Sequence, residues 1–253
     1  MVLWFLNRDA PEEANLAAAV EGVSNSSAAS EPPAQTSAVT ETSPTTSSPD
    51  STSPQTTTPE TTSGTELATS WTVTNEIGEF SYEEATGTFA GFRIEEELQG
   101  LGSNVAVGRT EAVTGSLSLD GTQVLEAEFS VDMTSISTND SRRDNGALEA
   151  MKVEEFPAAT FQLGEPIELG EIPEEGATIT ATANGEFTIA GVTNPVEIPI
   201  EAQLTPQGLV VVGSTEITMS DYDVEVPQAP VLLSASEIAT IEVQLWFTPA
   251  EGT

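Results

Sequence analysis

An all-β fold of about eight antiparallel strands, closed into a barrel or packed as a sandwich, is predicted by three features of the sequence. Apolar and polar residues alternate with a period of two from Trp71 onward, turn dipeptides separate the alternating runs, and no helical run is long enough to join parallel neighbours. In "LEAEFSVDM", Leu125, Ala127, Phe129, Val131 and Met133 fall on one side, with Glu126, Glu128, Ser130 and Asp132 on the other. In "VEIPIEAQL", Val196, Ile198, Ile200, Ala202 and Leu204 alternate with Glu197, Pro199, Glu201 and Gln203. In "IEVQLWF", Ile241, Val243, Leu245 and Phe247 alternate with Glu242, Gln244 and Trp246. One apolar and one charged side is the mark of antiparallel strands that face water on one side only.

Turn chemistry sets the expected breaks. Asp120-Gly121 divides "GSLSL" from "TQVLEAEFSVDM", and Asn184-Gly185 divides "ATITATA" from "EFTIAGV", each with a dipeptide favoured in two-residue hairpins. Pro206-Gln207-Gly208 separates two further strands. The one excursion is "NDSRRDNGALEAMKVEEFPAATFQ": Asn139 or Asp140 can cap a first turn, Arg142 to Val153 has a helical pattern, and Pro157 ends it before "ATFQL" resumes a strand.

Composition narrows the function. The chain has no Cys and no His, which removes disulfides, thiolate nucleophiles, His bases and Cys/His zinc sites together. A net charge of -35 repels nucleic-acid backbones and anionic membrane surfaces. With 41 acids some carboxylate pair always exists, so no particular pair points to hydrolysis, and no catalytic residue is assigned. "DYDVE" begins like a calcium loop at Asp221, Asp223 and Glu225, but Val226 replaces the required Gly and Leu232 stands where the closing Glu belongs. Ile94 to Leu98 reads as a strand end with solvated charges, and Asn25-Ser26-Ser27 and Asn139-Asp140-Ser141 match a glycosylation pattern too short to weigh. No metal site is expected.

Three regions follow. Residues 1–23 hold an apolar run, Met1 to Leu6, that reads as the remnant of a membrane anchor, with a short helix over Glu12 to Val20. Residues 24–70 form a linker, almost all Ser, Thr, Pro, Ala and Gln from about Ser24 to Thr65, with Pro44, Pro49, Pro54 and Pro59 at even spacing, a composition expected to stay disordered and to act as a stalk. Residues 71–253 form the β domain. Phe80, Phe89, Phe92, Phe129, Met133, Phe161, Phe187, Ile189, Ile198 and Leu245 are the candidate interior residues. They line a greasy cavity if the interior is open, unsuited to a charged substrate, and make a packed core if it is not.

The domain resembles the YceI-like, polyisoprenoid-binding family of bacterial proteins. The likeness runs through "WTVTNEIGEFSY", "FRIEEELQG", "VGRTEAVTGSLSLD", "VDMTSISTND", "RRD", "EFPAATFQ" and "GEFTIAGVTNPVEIPIEA", in order, over about Trp71 to Thr248. It implies a lipocalin-like, eight-stranded antiparallel barrel holding a long apolar lipid, an isoprenoid or quinone-like molecule, with no catalytic constellation; no cofactor and, from the charge, no nucleic-acid partner are expected. The apolar start and the stalk together read as an extracytoplasmic protein of the cell envelope, near the membrane through its N-terminus only. Some members carry a histidine after the Arg-Asp pair, where this chain has Asn145 and Gly146. Arg142 and Arg143 with Asp144 form a candidate cluster at the barrel rim, either pinning the excursion by ion pairs or meeting a ligand headgroup. A structural or adhesive surface domain with a solid core is the alternative function.

Overall fold

The computed structural model describes residues 10–28, 69–138, 141–170, 174–226 and 232–250. The apolar run at residues 1–6 and the proposed stalk from 29 to 68 lie outside the described residues, as do Asn139 and Asp140. The strands are β1 (Ser70–Thr74), β2 (Phe89–Leu98), β3 (Gly102–Thr110), β4 (Val113–Asp120), β5 (Gln123–Asp132), β6 (Ser137–Thr138) and β7 (Ala158–Leu163). They continue as β8 (Ile167–Glu168), β9 (Thr178–Ile189), β10 (Val192–Leu204), β11 (Leu209–Thr218), β12 (Leu232–Ala235) and β13 (Ile238–Pro249). Two helices, α1 (Leu16–Ala28) and α2 (Ser141–Ala150), and two short 3-10 turns at Met133–Ser135 and Met219–Tyr222 complete the elements.

Eight strands close a ring in the order β1-β4-β5-β7-β9-β10-β11-β13, because β13 pairs back with β1. Every pairing in the ring is antiparallel, as expected of strands linked by short turns. β13 forks. Its end, Trp246 to Pro249, pairs with β1, whereas Thr240 to Gln244 pair with β2, so the β2–β3 hairpin enters the wall at that level and widens it. β6 borders β3, β12 borders β2, and β8 borders β5.

The turns fall partly where the dipeptides put them. Asp120 pairs with Gln123 across a tight turn whose Gly121 has φ of 61°, and Thr205 and Gly208 bond to each other around Pro206-Gln207. Asn184-Gly185 is not a turn. β9 runs straight through it, and the hairpin lies at Ala190-Gly191, with φ of 51° and 79°. Gly185 is in the strand for a different reason: a Cβ there would sit 2.6 Å from the Phe161 ring and 2.3 Å from the Gln162 carbonyl. The helical excursion ends at Ala150, and turns through Glu155 complete the segment that helical patterning extends to Val153.

α1 continues through Ala28, past residue 23, and it is not isolated. Leu16, Ala19 and Val23 are buried against Val210, Val212 and Trp246 on the outside of the barrel. The loop between β1 and β2 also folds onto that outer wall. Gln244 donates to the carbonyls of Ala85 and Gly87, and the Trp246 indole N–H donates to Thr86, at 2.8–3.1 Å. Inside, Trp71, Val113, Leu117, Leu119, Leu245 and Phe247 pack at the β1 end. Met133, Ile136, Met151, Val153, Ile189, Ile217 and Met219 pack at the α2 end.

Candidate functional site

The inward phase of the strands is less buried than a solid core would make it. Along β10, Ile198, Ile200, Ala202 and Leu204 all point inward yet are only half-buried, alternating with exposed Glu197, Pro199 and Glu201. The reason is a cavity of about 880 Å³ running along the barrel, within the roughly 300–1,000 Å³ range of ligand sites. Its lining is Ile, Val, Leu, Ala, Met and Phe almost throughout, and the polar side chains on it are Glu96, Arg143, Thr160, Thr215 and Glu225.

Eight of the ten candidate residues lie on this wall: Phe92, Phe129, Met133, Phe161, Phe187, Ile189, Ile198 and Leu245. Phe80 and Phe89 do not. Phe89 pairs with Gln244 on the outward phase, is fully buried beneath the outer loop, and lies 4.4 Å below the Arg109 guanidinium. Phe80 belongs to that loop, with its ring 6.5 Å from Phe89. Period-two geometry forbids Phe89 and Phe92, three apart on β2, from sharing a face. Leu125 also leaves the apolar phase: the β4–β5 register shifts beside it, Val124 turns inward in its place, and Leu125 is exposed.

Aromatic residues could have filled the barrel, but several fold against its wall. Phe92 lies over Gly108, Phe129 over Gly115 and Phe161 over Gly185, where a Cβ would come within 2.4–2.6 Å of the ring. Phe129 and Phe161 stack at 6.3 Å, Phe129 meets Phe247 edge-on at 5.8 Å, and Phe187 meets Tyr222 edge-on at 5.6 Å. Rings held flat on neighbouring strands leave the axis of the barrel open.

The polar end of the cavity is built by α2 and β2. Arg143 donates to Glu96 Oε1 at 2.7 Å, and Asn104 Nδ2 donates to the same oxygen at 2.6 Å. Asp144, in the first turn of α2, accepts from the Thr138 backbone N–H at 2.8 Å and its hydroxyl at 2.7 Å. An acid suits that helix end. The Arg142 side chain lies outside the described residues. Lys152 pairs with Asp223, tying the segment after α2 to the turn at Met219–Tyr222. Among the described residues no group of three or more acids is placed to hold a metal ion.

The second charged cluster is one that sequence reasoning missed. On the outer wall Glu242, 1% exposed, accepts from Arg109 Nε at 2.9 Å and Arg93 Nη1 at 3.4 Å. Arg93 also donates to the carbonyls of Pro11 and Glu12, Arg109 donates to Glu12, and the Ala14 N–H donates to Glu242 at 3.2 Å. The available signal was Trp246 on the polar phase of β13 beside Glu242, since a tryptophan on an outward phase calls for something to cover it.

An eight-stranded antiparallel barrel with an apolar interior cavity defines the class. The YceI-like domain model matches residues 66–247, and the chain belongs to that family. It is similar in fold to a polyisoprenoid binding domain from Saccharophagus degradans implicated in plant cell wall breakdown, at a TM-score of 0.50 and 13% identity. That match covers 64% of this chain and 98% of the other. BcnA of Burkholderia cenocepacia is similar at 0.47 and 16% identity, over 62% and 94% of the two chains. The Campylobacter jejuni YCEI protein is similar at 0.46 and 17%, over 57% and 85%. No curated protein matches the chain.

Proposed function

We propose that the barrel binds one long apolar lipid, a polyisoprenoid or a quinone-like molecule, and sequesters or carries it at the cell envelope without chemical change. The observation that carries this reading is the apolar cavity of about 880 Å³, bordered by inward residues that remain half-buried. An uncharged chain gains by leaving water for such a wall, at about 25 cal/mol per Å² of apolar surface buried. A charged substrate would meet almost no polar partner there. Family membership supports the reading, as does the name of the Saccharophagus degradans neighbour. The solid-core alternative does not fit a cavity of this size. An extracytoplasmic location, near the membrane through the N-terminus only, completes the proposal.

The test is to purify the full chain from its native membrane fraction, extract it with organic solvent and identify long-chain lipids by mass spectrometry. One lipid class in near-stoichiometric yield is expected. A chain that releases none, and takes up no isoprenoid alcohol on incubation, refutes the reading.

A further inference from the structure

The triad of Arg93, Glu242 and Arg109 joins three adjacent strands, β2, β13 and β3, at the level where β13 leaves β1 to pair with β2. Its outer side is closed by residues 11–14, and α1 continues from there over Trp246. The same strands present Phe92, Ile94, Ile241 and Val243 to the cavity from their other face. We propose that residues 10–28 are a releasable strap: docked, they hold the β2–β3 wall closed on the cavity, and freed, they let that wall loosen and ligand exchange. This rests on the lipid-binding reading.

Three observations make the strap separable from the barrel. The described part of the strap pairs with no strand, so its departure breaks no ladder. Leu16, Ala19 and Val23 are the buried side chains by which α1 is held, a small apolar face to undock. α1, with 13 residues, is marginal as a free helix, so docking and helix formation are one event. Undocking also removes the carbonyls that Arg93 and Arg109 bond to and wets a carboxylate now 1% exposed, which weakens the cross-strand tie from outside.

The test uses the full chain with substitutions on the strap only. Ala19 is 0% exposed, so Ala19→Asp puts a carboxylate into its contact. Gly22→Leu adds bulk where a Cβ already falls 2.2 Å from Thr86 Cγ2. Each protein is loaded with tritiated geranylgeraniol and chased with excess phosphatidylcholine vesicles while amide hydrogen exchange is followed. Both variants should lose strap protection, release the probe at least about tenfold faster and exchange faster in β2–β3, with β5–β7, on the far side of the ring, unchanged. Release and β2–β3 exchange at the wild-type rate from a freed strap would overturn the proposal, as would a strap that stays protected in both variants. If wild type binds no probe, the lipid-binding reading fails first, and unchanged β2–β3 protection on freeing the strap then overturns the clamp as well.

Discussion

Arg143 stands where the cavity meets its polar end, yet its guanidinium is engaged by Glu96 at 2.7 Å. Asn104 bonds the same carboxylate oxygen, so Glu96 keeps a donor if the arginine is removed. Arg143→Ala should therefore cost about 1 kcal/mol in denaturant unfolding, the upper end for a partly exposed pair. Lipid content by extraction should not change, and a stable variant without lipid would assign Arg143 to the headgroup instead. Tyr222 is governed by its surroundings in another way. Burial, and then the nearby Asp221 charge, raise its hydroxyl above the ordinary tyrosine range. A raised folded value means that its contribution to stability is whole below about pH 10, and is lost as pH rises through the folded value. In a Tyr82→Phe background, tyrosinate absorbance should appear later than in the unfolded chain; appearance at the same pH would contradict the burial argument. Single residues were legible in the sequence where strand phase was read strictly. Phe92, Phe129 and Ile198 obey it, while Phe89, three residues from Phe92, falls on the outward phase although its side chain is as apolar. Arg93 and Arg109 could not be foreseen as a pair, because their shared partner, Glu242, is distant in the chain and only strand pairing joins them.

Pairs of neighbouring strands set the size of the cavity through contacts between glycine and phenylalanine. Gly108 on β3 pairs with Phe92 on β2, and the nearest atoms to a Cβ at Gly108 all belong to the Phe92 ring, at 2.4–3.2 Å. No backbone atom blocks the site, unlike Gly185, where the Gln162 carbonyl is 2.3 Å away. Gly108→Ala should consequently turn the Phe92 ring toward the axis while the strands stay paired, for about 1–3 kcal/mol of overpacking. Uptake of an isoprenoid alcohol should fall while the far-ultraviolet circular dichroism remains that of wild type. Unchanged uptake would show that the ring position does not limit the cavity. The elements themselves were readable wherever a residue's local role and its tertiary role agreed. Asp120-Gly121 makes a turn because nothing else is required of that glycine, whose Cβ position is open space. Asn184-Gly185 carries the same local signal, but the Phe161 ring requires a residue without a side chain there, and packing decides. α1 was faint for the opposite reason: "LAAAVEGV" has few large apolar residues, and its small face is matched to a surface of the barrel that no local pattern describes.

At the scale of the whole molecule charge dominates, with -35 on a chain whose basic residues number only 6. The barrel manages this at short range. Each acid in the strand ladders faces a neutral partner: Glu128 and Glu186 both face Gln162, Glu126 faces Ser118, Glu197 faces Asn184 and Glu216 faces Thr240. Like charges directly opposite, which destabilise a sheet, are thereby avoided. This arrangement was open to inspection only after register was known, since composition gives the charge and not its spacing. What remains is repulsion among acids on separate rows and turns, and that part is long-ranged and screened by salt. The screening length falls from about 10 Å at 0.1 M to about 3 Å at 1 M. The buried pairs of Glu242 with Arg93 and Arg109 are shielded from that change, so screening them does not offset the gain. Raising KCl from about 0.1 to 1 M should then stabilise the fold by at least about 1 kcal/mol, or about 2–4 °C in melting midpoint for a domain of this size. Most of the gain should arrive by a few tenths molar, because screening of charges saturates. Melts followed by circular dichroism in KCl and in NaCl should superimpose. A midpoint that stays constant or falls with salt, or that climbs only above about 1 M and in a salt-specific manner, would mean that self-repulsion is not what limits the stability of this barrel.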